Sequence, residues 1–207
     1  MYIETLAVFA LVHFLAAASP GPNLVVVSSY ASTVSRKAGL QAALGILFGV
    51  LTWASATALG LGTFFANYPL FYSAIRRAGA IYLIWLGCRM VKDAISNQYG
   101  EIDTRRVEPG SARSIVLSGY FVNMTNPKTV AYYTSLFSVL IPPSSPTWVF
   151  VAAACVAILV SASWWTSVAL FFSIEGIRQF FSATRCYLDF ITGTALVFFG
   201  VRLATSR

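Results

Sequence analysis

Residues 16–27 read AAASPGPNLVVV, a polar, proline-rich cluster set into an otherwise apolar run. Pro20 and Pro22 lack amide hydrogens, so in a helix the carbonyls four residues earlier, on Ala16 and Ala18, lose their partners. Gly21 between them permits backbone dihedrals that other residues resist. Three readings compete: a signal-peptide cleavage site, a turn between two short helices, or a break inside a helix that crosses a membrane.

Composition selects the solvent. Of 207 residues, 57% are hydrophobic and only 10% are charged, with a mean hydropathy of +0.73, whereas roughly a quarter of the residues of a soluble domain are charged. An all-α integral membrane protein is expected. Because ~20 apolar residues cross a bilayer, the length holds about six such helices in one domain, 1–207. The formal net charge of +7 is spread singly or in pairs between apolar runs, without the clustered stripe of a nucleic-acid surface. Nucleic acid is thereby excluded as a partner, and the lipid bilayer is the expected surrounding. Cys88, Cys155 and Cys186 fall in three segments with no C-x-x-C, so neither a disulfide framework nor a paired redox motif is indicated. With a single histidine, His13, no metal cluster and no cofactor are expected, and His13 reads as a packed or interfacial side chain.

Six apolar runs succeed one another along the chain. The first spans about Ile3 to Val34 and contains the quoted break; the second, about Ala38 to Phe65, has no charge after Lys37. The third, about Pro69 to Val91, carries Arg76 and Arg77 in its first third, where snorkelling accommodates them. A polar stretch from Asp93 to Arg113 is predicted as a loop and the sole linker. The fourth span is about Ser114 to Ile141, the fifth about Thr147 to Ile174, and the sixth about Tyr187 to Ala204, after a short loop carrying Glu175, Arg178 and Arg185. Nine Lys and Arg fall on the side of the linker 93–113 and four on the other, with Lys128 inside a span. The excess of positive charge places the linker in the cytoplasm and both termini outside.

An A-x-A pattern at Ala16 to Ala18 fits signal peptidase, yet the chain starts MYIETL and has no Lys or Arg before residue 36. Signal peptides carry a basic n-region, and the apolar run resumes at once from Leu24, so the break is assigned to the mature protein. In hydrocarbon, unsatisfied backbone groups cost several kcal/mol each, and a break survives only where protein or a water-filled cavity covers it. An interior cavity is therefore expected beside Ser19 to Asn23. A second helical segment starting near Pro22 would turn free amides toward an anionic group, with Asn23 adding a donor and an acceptor.

The stretch YFVNMTNPKTVAYY, Tyr120 to Tyr133, repeats the device in the fourth span. Pro127 frees the carbonyl of Asn123, and Lys128 lies about half way between Ser114 and Ile141. A lysine at the centre of a membrane helix costs roughly 2.5–3.5 kcal/mol on insertion scales and is a functional hypothesis by default. Spans one and four occupy equivalent places in a two-fold repeat of three spans each, about 1–92 and 114–207. The ends of the halves agree, since AIYLIWLGCRM (80–90) aligns with GTALVFFGVRL (193–203) so that Leu83 meets Leu196 and Gly87 meets Gly200. Three spans per repeat is an odd number, so the second half enters the membrane inverted. Matching interrupted helices in inverted halves point to a transporter's midplane binding site. Gly45 and Gly49 form a small-xxx-small pair, consistent with close helix packing, and Trp148, Trp164 and Trp165 read as interfacial or packing aromatics.

SPGPN in the first run, SRKAG after it, GAIYLIWLG in span three and NPKT in span four together resemble the LysE/RhtB family of amino-acid exporters. The resemblance covers nearly the whole chain. It implies a multi-pass transporter of the bacterial inner membrane that exports amino acids or their derivatives, driven by the membrane potential or the proton gradient. Pro20, Gly21, Pro22 and Asn23, with Asn126, Pro127 and Lys128, carry the two motifs. Many relatives hold an acidic residue directly after the glycine matching Gly49, where this chain has Val50. A carboxylate relay at that position is therefore not available, and Asp189 is placed near the start of span six. The substrate site is expected from Pro20, Gly21, Pro22, Asn23, Asn123, Asn126, Pro127, Lys128 and Tyr132. Lys128 would pair with the carboxylate of an amino-acid substrate. The lack of a carboxylate for a second ammonium favours neutral amino acids. A redox carrier of a related superfamily would need cysteines near the two breaks, and neither motif has one; a scaffold would need neither breaks nor a buried lysine. Association into a homo-oligomer is compatible with all of this.

Overall fold

A computed structural model describes residues 2–67, 69–96, 108–126, 128–129, 132–133, 141 and 145–205, with the backbone alone at 59–67, 69–76, 78–79 and 202–203. Among the described residues the chain forms seven α-helices and no strand: α1 Tyr2–Ala18, α2 Pro22–Ser29, α3 Arg36–Asn67, α4 Pro69–Ser96, α5 Ala112–Thr125, α6 Thr147–Phe171 and α7 Glu175–Thr205. The segment Arg36–Ala58 of α3 and the whole of α6 are each long and apolar enough to cross a membrane, and Tyr2–Ala18 joined to Pro22–Val34 makes a third candidate, bent by 62°. Among the described residues the fold is all-helical, consistent with a membrane protein. Large apolar side chains such as Phe48, Phe121, Leu159 and Phe198 are exposed on the outer surface, which lipid tolerates and water does not.

The first break is where the prolines demand it. Helix α1 stops at Ala18, and Pro22 opens α2 in the first turn, where its missing amide costs nothing; Val25 N then donates to Gly21 O at 3.1 Å. Gly21 departs from expectation. Its φ of 179° and ψ of −175° are extended backbone that any residue adopts, and an added Cβ would lie an ordinary 3.9 Å from Lys128 Cδ. Glycine here answers no strain.

Hydroxyls shape the chain beyond α2. Ser28, Ser32 and Thr33 donate to the carbonyls of Leu24, Ser28 and Ser29 at 2.7, 2.7 and 2.8 Å, a back-bonding that bends helices. A π-helical turn, Tyr30–Val34, closes this stretch. Ser35 is extended and its Oγ accepts from Ala38 N at 3.1 Å, capping the start of α3.

The second break falls at Asn126, which ends α5 with φ −71° and ψ 112°. The Asn123 carbonyl accepts from Asn126 N at 3.3 Å, and Asn126 Oδ1 takes the amide of Lys128 at 3.0 Å in an Asx turn. Pro127 lies outside the described residues.

Two predicted loops are shorter than expected. Residues 93–96 continue α4 and 112–113 begin α5, while Ser111 caps α5 by accepting from Ser114 N at 3.2 Å. The stretch holding Glu175, Arg178 and Arg185 is the first half of α7 rather than a loop. Charges spaced three and four apart stabilise a helix instead of ending it: Glu175 pairs with Arg178 and Gln179, and Arg185 with Asp189.

Helix α3 packs between α5 and α6, α1 lies against α6 and α7, and α4 packs chiefly on α7. Gly45 and Gly119 let α3 and α5 touch through their backbones. A Cβ on Gly45 would strike the Val116 carbonyl, and one on Gly119 would strike that of Ala42. Gly87 and Gly193 face one another's carbonyls in the same way between α4 and α7, beside the small cluster of Leu83, Met90 and Leu196. Backbone cannot retreat as a flexible side chain can, so Gly119→Ala is expected to destabilise the purified protein by about 1–3 kcal/mol, whereas Gly21→Ala leaves its thermal melting unchanged.

Candidate functional site

The two breaks meet. Asn126 Nδ2 donates to Asn23 Oδ1 at 3.3 Å, and Lys128 Nζ donates to the Ser19 carbonyl at 3.1 Å, so each interruption supplies a partner for the other. Between them lies a cavity of about 50 Å³. Ser19, Gly21 and Asn23 line it from the first break, Asn123, Asn126, Lys128 and Thr129 from the second, and His13, Val50, Tyr132, Tyr133, Ser161 and Trp165 from the surrounding chain. Of the residues predicted from sequence, Gly21, Asn23, Asn123, Asn126, Lys128 and Tyr132 converge here. Pro20 and Pro22 do not line the cavity; Pro20 is half-buried and Pro22 exposed, and both act on the path of the chain.

The cavity's polar groups are largely interlocked. The His13 ring lies between Tyr132 OH and Ser161 Oγ, 2.8 Å from each, and stacks on Phe9 with ring centroids 6.0 Å apart. One oxygen departs from this pattern. Asn123 Oδ1 is sealed from solvent with no hydrogen-bond partner among the described residues, and it sits over Gly49, where a Cβ would collide with it. A buried acceptor without a donor costs about 1–3 kcal/mol, so a ligand donor reaching this oxygen gains what the protein lacks.

Sequence reasoning missed several participants. His13 and Trp165, which read as packing or interfacial residues, are buried and line the cavity, as do Thr129, Tyr133 and Ser161, while Ser19 lines it where a cavity is expected from sequence. A periodicity signal existed in part: His13, Ala16 and Ala17 repeat along one face of α1, and Ser161 and Trp165 are four apart on α6. Asp189 is the larger correction. It lies inside α7, is 5% exposed, and accepts from Ser19 Oγ at 3.4 Å while pairing with Arg185 at 3.7 Å. In sequence the charged first half of α7 reads as a loop, and that reading puts Asp189 at a span's start instead of within a helix. Val50 does face the cavity and is buried, so at the position of the expected acidic residue this chain presents an apolar wall. Cys88, Cys155 and Cys186 are free and lie away from the cavity.

The LysE type translocator family matches residues 14–207. The chain is 30% identical over 198 residues to the threonine efflux protein of Escherichia coli (strain K12), covering 96% of each chain. It is 33% identical over 156 residues to the homoserine/homoserine lactone efflux protein of Salmonella typhimurium, covering 70% of this chain and 69% of that one. To the leucine efflux protein of Klebsiella pneumoniae it is 34% identical over 121 residues, covering 57% and 54%. No solved structure matches.

The histidine bridge is open to a direct check. His13→Phe keeps the stacking surface but removes the bonds to Tyr132 OH and Ser161 Oγ, and is expected to cost about 2 kcal/mol, read as a melting temperature several degrees lower in purified protein.

Proposed function

The chain belongs to the LysE type translocator family, and we propose that it is a secondary transporter exporting neutral amino acids or close derivatives from the cytoplasm across a bacterial inner membrane. The observation that carries this reading is the ammonium of Lys128 held at the junction of two broken helices, in a cavity walled by asparagines and hydroxyls. A point charge there suits a substrate carboxylate, with the amides at the start of α2 adding to the attraction. Asn123 Oδ1, lacking a donor among the described residues, suits the substrate's ammonium. The described lining of the cavity offers no carboxylate for a second ammonium, and Asp189 behind it is engaged with Arg185 and Ser19. This balance favours neutral over basic amino acids, in keeping with the threonine, leucine and homoserine efflux relatives.

In this reading there are six spans in two inverted halves, about 1–92 and 114–207, joined by a cytoplasmic linker. Helices α4 and α7, the closing spans of the two halves, are 28 and 31 residues long, enough to cross even with charges along them. Their mutual glycine contact at Gly87 and Gly193 is in keeping with the repeat. The halves form one domain, and further copies of the chain can associate around it. The cavity of about 50 Å³ has room for water, against the roughly 150 Å³ of a cavity that takes a benzene-sized guest. Loading therefore requires the two breaks to separate, and the contacts Asn126–Asn23 and Lys128–Ser19 are the ones that part.

In proteoliposomes loaded with radiolabelled amino acids, threonine or leucine should leave faster than lysine or arginine; preferential export of the basic pair overturns the assignment. Lys128→Met should insert and accumulate normally, since it removes an expensive buried charge, while abolishing export. Lys128→Arg should impair export too, because a planar fork does not replace a compact ammonium. Export by Lys128→Met at the wild-type rate moves the site elsewhere. Reporter fusions at residues 93–112 should score cytoplasmic and fusions after Arg207 periplasmic; labelling of an introduced linker cysteine by an external thiol reagent reverses the orientation.

A further inference from the structure

Behind the cavity lies a charged group that none of its lining residues accounts for. Asp189 on α7 is buried, and its two oxygens are divided: Oδ2 lies 3.7 Å from Arg185 Nε, and Oδ1 accepts from Ser19 Oγ at 3.4 Å. Ser19 is thus held at both ends, its hydroxyl on Asp189 and its carbonyl on Lys128 Nζ at 3.1 Å. The same carboxylate acts electrostatically on Lys128. Asp189 is absent from the cavity wall, so it reaches the ammonium through Ser19 and through its field, without touching a substrate.

We propose that Asp189 is a positioning residue that limits how tightly the cavity holds a substrate carboxylate, by acting as a resident rival for the positive charge of Lys128. This inference rests on Lys128 being the carboxylate anchor. Asp189 sets one negative charge behind Lys128, which offsets part of the pull of the ammonium on a substrate carboxylate. Without that charge the substrate is held harder. A transport site needs binding strong enough to load and weak enough to release. Tighter binding that is equal in the loaded and releasing forms lowers the half-saturating concentration without raising turnover. Release slows instead. The location is suited to this role, because Ser19 is the joint between α1 and α2 and ties the rival charge to the hinge that must open.

The test is threonine efflux from proteoliposomes containing the purified full-length chain, at matched protein content, for wild type, Asp189→Asn, Asp189→Glu, Ser19→Ala and Lys128→Met. Asp189→Asn should lower the half-saturating concentration about tenfold, as removal of a unit charge near a poorly solvated ammonium implies, and lower the maximal rate with it. Asp189→Glu should restore both toward wild type. Ser19→Ala keeps the Asp189 charge and the carbonyl that Lys128 meets, and should not lower the half-saturating concentration as Asp189→Asn does. An unchanged or raised half-saturating concentration in Asp189→Asn overturns the proposal, because a merely structural carboxylate reduces active protein without tightening binding. If Asp189→Asn fails to fold, Asp189→Ser, which also removes the charge, decides by the same sign. Normal efflux by Lys128→Met defeats the anchor itself, whereas loss of efflux in Lys128→Met with unaltered half-saturation in Asp189→Asn defeats only the role of Asp189.

Discussion

The hydrogen bond from Lys128 Nζ to the Ser19 carbonyl joins the two interruptions of this fold and makes both tolerable. A broken helix in hydrocarbon exposes carbonyls and amides that nothing in lipid can satisfy. A lysine at the same depth is costly on its own. Set against each other, each supplies what the other lacks, and Asn126 on Asn23 repeats the exchange beside it. Neither break could persist facing lipid, so the helices carrying them are held to the interior and the rest of the bundle is arranged around that contact.

Glycine seams provide the arrangement. Helix α5 reaches the first break because Gly45 and Gly119 allow it to lie directly on α3, and Asn123 then settles over Gly49 one turn further along. On the other side α7 lies on α4 through Gly193 and Gly87, which brings Asp189 behind Ser19. In lipid no hydrophobic force drives helices together, and close backbone approach with dispersion contact takes its place. The polar cavity is thus a consequence of two tight apolar seams that leave a gap between them where the helices are broken.

Within that gap, polar groups divide into those already satisfied and those held in reserve. The His13–Tyr132–Ser161 bridge closes one wall by uniting α1 with the chain after the second break and with α6. Fully paired polar networks of this kind rigidify a core. Lys128 lines the gap, whereas Asn123 Oδ1 is sealed over Gly49 without a donor among the described residues.

The membrane solvent, the helical class, both breaks and most of the cavity's motif residues are legible along the chain, since hydropathy, proline and an intramembrane lysine act locally and leave their mark at fixed positions. Gly21, Asn23, Asn123, Asn126, Lys128 and Tyr132 can all be read in this way. Folding in three dimensions adds that the breaks touch, that His13 and Trp165 belong to the cavity, and that Asp189 stands behind Ser19. The charged first half of α7 illustrates the reason. Its polarity resembles a loop in one dimension, but Glu175, Arg178, Arg185 and Asp189 are spaced to pair along a helix, and that added length carries Asp189 into the interior. Contacts between residues more than a hundred positions apart depend on which helix faces lie together, and no periodicity within a single segment encodes that choice.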